Sequence, residues 1–263
     1  MPETRAAKRA KRLKKLEENT IVNTSKPDVT ADSARVDGRL TRKETEHAIL
    51  SAQAYSRDDR TVRNLGYEYQ PDLSNVNLST FYNSRNNKVV AAFRGSKSPR
   101  DWLNTDVKLA TEGEALPQDK RFVNHAKLIE KIAQQYGIGN VEFTGHSLGG
   151  TEAAYFALQH GVKGTAFNPG STIQPSLGML MLEAEQTGAK ASGKTQEAVR
   201  QGVSVQRIEG DPVSQFTNTY DKHPIYTYAR RPGSSIIAAH GLKNFETYYD
   251  EDTEDRSQGI DAE

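Results

Sequence analysis

The sequence predicts an α/β protein with a mostly parallel central sheet and helices on both faces. Three observations carry that expectation. Five short apolar runs have strand composition, helix-periodic segments separate several of them, and glycine or proline closes several. Strands alternating with helices are joined by crossovers, which favours parallel pairing and sets helices on the sheet faces. At 263 residues the chain has room for one such domain.

Order is expected to begin at Thr41. Thr41 and Glu44 have capping-box spacing, and Ala48, Ile49, Ala52 and Tyr55 follow at helical intervals. Residues 81–93 read as a hairpin with a polar turn at 83–87 and a second strand at 89–93. A polar, loop-forming stretch runs to Pro117. Phe122, Ala126, Ile129, Ala133 and Tyr136 then mark one helix face that stops at Gly137. The next strand, 141–144, runs into glycines around Ser147, and a helix is expected over 152–160, ending at Gly161. Gly164 to Phe167, Val203 to Ile208 and Ile225 to Tyr228 are the remaining strands. Between them, 176–185 reads as a helix and 188–194 as a loop.

The two ends differ from this pattern. The first twenty residues hold seven Lys/Arg against three Glu, and residues 250–263 hold seven acids against one Arg. Both are poor in large apolar side chains. The expectation is therefore a flexible basic arm (1–40), a folded domain (41–249) and an acidic solvated tail (250–263). The basic run 8–15 can touch anionic lipid or nucleic acid, but composition favours a solubilising arm. Over the whole chain 35 Lys+Arg face 34 Asp+Glu, so net charge gives no bulk attraction to nucleic acid or membrane. No apolar run approaches the ~20 residues of a bilayer span. No signal peptide is seen, which points to an intracellular site, with another export route or packaging into a particle left open. Cysteine is absent, so thiolate catalysis and thiolate metal sites are excluded.

The segment Gly145-His146-Ser147-Leu148-Gly149 carries chemistry. Gly-x-Ser-x-Gly arises by chance on the order of 0.1 times in a chain of this length, so its setting matters. Here a β-rich run precedes it and a helix-prone run follows, the setting of a nucleophile elbow in the α/β-hydrolase fold. A sharp strand-to-helix turn lifts the serine hydroxyl above the sheet, and the two glycines remove side chains that would crowd the turn. The helix N-terminus behind Ser147 aims the Leu148 N–H at a developing oxyanion.

A serine needs a base, usually a histidine oriented by a carboxylate, in the chain order Ser, acid, His. His160 sits on the helix after the elbow and is carried away from the active edge. His223 precedes the last strand and enters the sheet at the wrong end. His240 follows that strand, where a base belongs. Asp211 comes just after the strand 203–208; Asp221 is its rival, but no strand delivers it.

These segments together resemble class 3 lipases, the fungal triacylglycerol-lipase-like family. The likeness is carried by residues 93–102, containing Phe93-Arg94-Gly95-Ser96, by the elbow at 144–150, by Gly210-Asp211-Pro212-Val213 and by His240-Gly241-Leu242. An early helix at 50–55 adds to it. The resemblance spans about 41–249 and implies Ser147 as nucleophile, Asp211 as orienting acid, His240 as general base, and Ser96 with Leu148 as oxyanion donors. It implies no cofactor and no metal, and an acyl glyceride or phospholipid substrate, with transient contact to a lipid surface. Two features depart from the family. The interval from Asp211 to His240 is short, and the lid apolars Trp102, Leu103, Val107 and Leu109 are interrupted by charges. A polar lid leaves a short-chain esterase or thioesterase open. A silent lipase-like module docked through its basic arm is the reading from another class. A second apolar cluster, Leu177, Met179, Leu180, Met181 and Leu182, reads as a buried helix more than as a lipid-docking surface.

Overall fold

A computed structural model describes residues 38–96, 119–170, 175–214, 222–231, 233 and 235–259. Residues 1–37 of the basic arm, the lid residues 97–109 and Asp221 lie outside them. In chain order the elements are α1 (Arg42–Ser56), α2 (Asp59–Asn64), β1 (Glu68–Tyr69), β2 (Leu78–Asn83), β3 (Lys88–Phe93) and α3 (Lys120–Tyr136). Then come β4 (Val141–His146), α4 (Leu148–His160), β5 (Gly164–Phe167), α5 (Pro175–Ser192), α6 (Gln196–Gln201), β6 (Val203–Ile208), β7 (Ile225–Tyr228), α7 (Ile236–Ala239) and α8 (Glu251–Ser257). A 3₁₀ segment covers Leu242–Tyr248.

Helix α1 starts at its capping signal. The Thr41 side chain accepts from the Glu44 N–H, and the Glu44 carboxylate accepts from the Thr41 N–H at 2.9 Å. The seven strands lie in sequence order. β1, β2 and β3 pair antiparallel, and β3 to β7 are parallel. Strand β3 is apolar at nearly every position because both of its faces are covered. Val89, Ala91 and Phe93 enter one core with Phe122 and Ile129 of α3, Phe156 of α4 and Leu180 of α5. Val90 and Ala92 enter a second core with Ala48 and Leu50 of α1 and with Phe245 and Tyr248. This is the α/β sheet with helices on both faces that the sequence predicts.

Two expectations need correction. Residues 188–194 read as a loop because Gly188 interrupts the pattern, yet α5 runs through to Ser192. Gly188 is there for packing: a methyl group on it would overlap the Leu158 carbonyl oxygen of α4. The acidic tail also forms a helix over Glu251–Ser257 that is solvated on only part of its surface. Asp250 caps α8 by accepting from the Thr253 N–H at 3.0 Å, and acidic side chains in the first turn suit the helix dipole. Thr253 and Ser257, one turn apart, are buried. Glu251 pairs with Arg39 at 2.7 Å, Arg256 with Glu46 at 3.6 Å, and the Asn64 amide donates to the Ser257 carbonyl at 3.0 Å. Small side chains and paired charges hold in place a segment whose composition alone reads as solvated.

The apolar cluster on α5 divides by face. Leu177, Leu180 and Met181 are buried in the core, whereas Met179 and Leu182 are exposed. Among the described residues no helix is long and apolar enough to cross a membrane.

Candidate active site

The elbow forms because β4 ends and α4 begins within one residue. Ser147 takes φ 60° and ψ −131°, a strained backbone for a non-glycine residue. The turn is tight enough that a side chain on Gly145 would overlap the Gly149 carbonyl, and one on Gly149 would overlap the Phe93 carbonyl. The Ser147 N–H donates to the Phe167 carbonyl at 3.0 Å, and the Ser147 carbonyl accepts from the Gly150 N–H at 2.8 Å. Leu148 is the first residue of α4, so its N–H belongs to the turn that has no intrahelical acceptor.

The tertiary structure brings Ser147, Asp211 and His240 together. Ser147 Oγ lies 2.7 Å from His240 Nε2, and His240 Nδ1 lies 3.1 Å from both Asp211 oxygens. A carboxylate can only accept, so Nδ1 carries the proton and the bare Nε2 accepts from the serine hydroxyl. Asp211 follows β6 through a turn at Gly210, with its N–H on the Ile208 carbonyl at 3.1 Å. It is fully buried. Burial pushes its carboxyl upward, but hydrogen bonds from His240, from the Ser214 hydroxyl at 2.6 Å and from the Val213 N–H at 3.1 Å outweigh that and hold it low. His240 stands just past α7.

The other histidines are elsewhere. His160 ends α4 beside Phe143, and burial lowers its pKa. His223 is buried just ahead of β7, where desolvation lowers its pKa to about 4. Ser96 is half-buried and follows Gly95. A Cβ on Gly95 would lie 2.9 Å from the Ser147 Cβ, so this loop abuts the serine. Among the described residues no group of three or more metal-ligating side chains gathers.

Three supports are not singled out by sequence reasoning. Asn168, held at φ 41°, accepts from the Ile208 N–H at 2.8 Å and donates to the carbonyls of Ala239 at 3.2 Å and His240 at 3.0 Å. It ties the end of β6, which leads to Asp211, to the turn that carries His240. His146 Nε2 donates to the His240 carbonyl at 2.7 Å, which leaves Nδ1 to accept from the Tyr55 hydroxyl at 3.1 Å. The Tyr55 oxygen in turn accepts from the Gly95 N–H at 2.8 Å. Burial, aided by the neighbouring His240, lowers the His146 pKa to about 3, so this ring stays neutral. Finally, the fully buried Glu152 accepts from Arg121, at 2.7 Å to the nearer nitrogen, and from His125 at 3.0 Å, while Arg121 also donates to the Arg94 carbonyl. That clamp fixes the loop carrying Gly95 and Ser96. A signal for Asn168 lay in its sequence position, Asn-Pro-Gly directly after a strand; Tyr55 and Glu152 sit on helices where nothing local marks them.

A family model of Tle-like phospholipase domains matches residues 46–242. Among solved structures, the lipase of Rhizopus microsporus var. chinensis aligns with a TM-score of 0.47 and 13% identity, covering 86% of this chain and 93% of that one. The Rhizomucor miehei lipase in its propeptide complex aligns at 0.39 and 16% identity, over 79% and 76% of the two chains. No curated protein matches the sequence. The matched residues run from α1 to just past His240 and take in well over half of the chain, which belongs to the Tle-like phospholipase domain family.

Proposed function

We propose that the protein is a serine carboxylic-ester hydrolase that cleaves acyl glycerides, phospholipids foremost, through an acyl-enzyme. The observation that carries this reading is the position of His240, 2.7 Å from Ser147 Oγ on one side and 3.1 Å from a buried Asp211 on the other. Ser147 attacks the ester carbonyl while His240 Nε2 takes its proton. Asp211, ionised and buried, holds the neutral imidazole in its Nδ1–H tautomer and stabilises the imidazolium once it forms. The oxyanion is held by the Leu148 N–H and by Ser96, whose loop abuts the serine. His240 then returns the proton to the departing alcohol. Water attacks the acyl-enzyme with His240 again as base, which releases the acid and restores the serine. The phospholipase-like family is what favours a phospholipid over a short soluble ester.

Hydrolysis of a p-nitrophenyl ester series, short to long acyl, by wild type and Ser147→Ala tests the reading. Cleavage by wild type should fall by roughly 10⁶-fold in the variant, and the preferred chain length separates a soluble esterase from a lipase. Equal turnover by the two proteins at every chain length sinks it.

A further inference from the structure

Beside the oxyanion loop lies a cleft of about 610 Å³ whose lining includes Tyr55, Arg57, Tyr69, Asn75, Val76 and Arg94. It opens at the carboxyl end of β3: Arg94 directly follows that strand, and its N–H donates to the Asn77 carbonyl at 2.8 Å. Ser147 caps the next strand over, and Gly95, adjacent to Arg94, touches it. The cleft and the serine hydroxyl therefore share one edge of the sheet.

Its electrostatics are one-sided. Among the described residues, two guanidinium groups line the cleft and no carboxylate does. Both are shelved on aromatic rings, Arg57 over Tyr69 at 5.6 Å and Arg94 over Tyr55 at 5.3 Å, which restrains them. Arg57 is itself the left-handed residue that closes α1, and its guanidinium donates to the Asn75 carbonyl at 2.8 Å. Among the described residues the buried Nε of Arg94 meets no hydrogen-bond partner. A guanidinium grips a phosphate through parallel charge-assisted hydrogen bonds, and a second one lining the same cleft adds to the positive charge there.

We propose that Arg57 and Arg94 form a subsite for the phosphate of the ester substrate's headgroup, so that phosphate-bearing esters are cleaved in preference to neutral glycerides. In a glycerophospholipid the phosphate stands a few bonds from the acyl carbonyls, which matches a subsite one residue removed from the loop that abuts Ser147. The subsite deepens the esterase reading and rests on it for its use. The binding itself does not depend on turnover.

Two measurements on the full chain test this. The first is the ratio of kcat/KM for dihexanoyl phosphatidylglycerol to that for dihexanoylglycerol, below their micellar concentrations, in wild type, Arg57→Gln and Arg94→Gln. A general loss of activity cancels in the ratio. Each substitution should lower it by about tenfold, the loss expected for one charge-assisted bidentate contact. An unchanged ratio overturns the proposal. The second is calorimetric titration of Ser147→Ala with sn-glycerol 3-phosphate, inorganic phosphate and glycerol, with and without Arg94→Gln. Glycerol phosphate should bind more tightly than inorganic phosphate, glycerol should not bind, and Arg94→Gln should weaken glycerol phosphate by about tenfold. If inorganic phosphate binds as well as glycerol phosphate, the site takes the free ion and not a headgroup, and the proposal falls. If wild type cleaves neither ester, the esterase reading fails while this titration still decides the subsite.

Discussion

The side-chain amide of Asn168 donates to the backbone carbonyl of His240 at 3.0 Å while its oxygen accepts from the Ile208 N–H at 2.8 Å. One side chain thus spans the turn that carries His240 and the strand that leads to Asp211. Asn168→Ala removes that tie and strands buried polar groups, a cost of roughly 1–3 kcal/mol. The expected result is a kcat lowered by about 10- to 100-fold with a much smaller change in KM, since a misplaced base slows chemistry before binding. Steady-state kinetics on a soluble ester, with a melting curve alongside, checks it.

Tyr55 links the loop before Ser96 to the histidine that supports His240. Tyr55→Phe deprives His146 Nδ1 of its donor and the Gly95 N–H of its acceptor. Activity should fall by about tenfold, on the scale of one supporting hydrogen bond, and glutamine at Tyr55 should not restore it. Full activity in the phenylalanine variant would show that the serine loop and the base are held independently.

Ser147 carries backbone strain at the position proposed for the nucleophile. Ser147→Gly should lose activity and yet raise stability by roughly 1 kcal/mol, because glycine tolerates positive φ. Thermal unfolding of the two proteins gives the sign directly.

Gly188 gives the opposite sign. Helix propensity alone predicts that Gly188→Ala stabilises α5 by about 1 kcal/mol. The overlap with the Leu158 carbonyl predicts a net loss of roughly 1–3 kcal/mol instead. Urea unfolding decides which effect wins.

Acid should destabilise the fold through buried neutral histidines. Burial lowers His223 to about 4 and His146 to about 3, against about 6.5 in an unfolded chain. Below pH 6.5 the unfolded state binds protons that the folded state refuses. Their contribution is thus complete above that pH and is lost as pH falls toward 4 and then 3. Each such histidine adds up to about 1.4 kcal/mol per pH unit to the slope of stability in that window. His223→Gln, away from the serine, should reduce the slope between pH 6 and 4.5 by up to that amount. An unchanged slope would show that His223 is not held neutral.

Much of this protein is legible locally. Apolar runs at 89–93 and 203–208, the capping pair Thr41 and Glu44, and the glycines flanking Ser147 each name an element or a turn, because strand burial, helix capping and steric crowding act within a few residues. Chain order alone also ranked His240 over His160 and His223, since a strand's direction decides which sheet edge its neighbours reach. What the sequence by itself determined, then, is the sheet with its covering helices and the place of the elbow. The rest was decided by contacts between residues far apart. Gly188 reads as a break until α4 presses against it, and the acidic segment after Asp250 reads as a tail until Arg39 and α1 receive it. Asn168, Tyr55, His146 and the Arg57–Arg94 cleft acquire roles only once β3, β4, β5 and β6 end at one edge. A hydrogen bond is worth what its partner and its burial make it, and both are fixed by the tertiary structure.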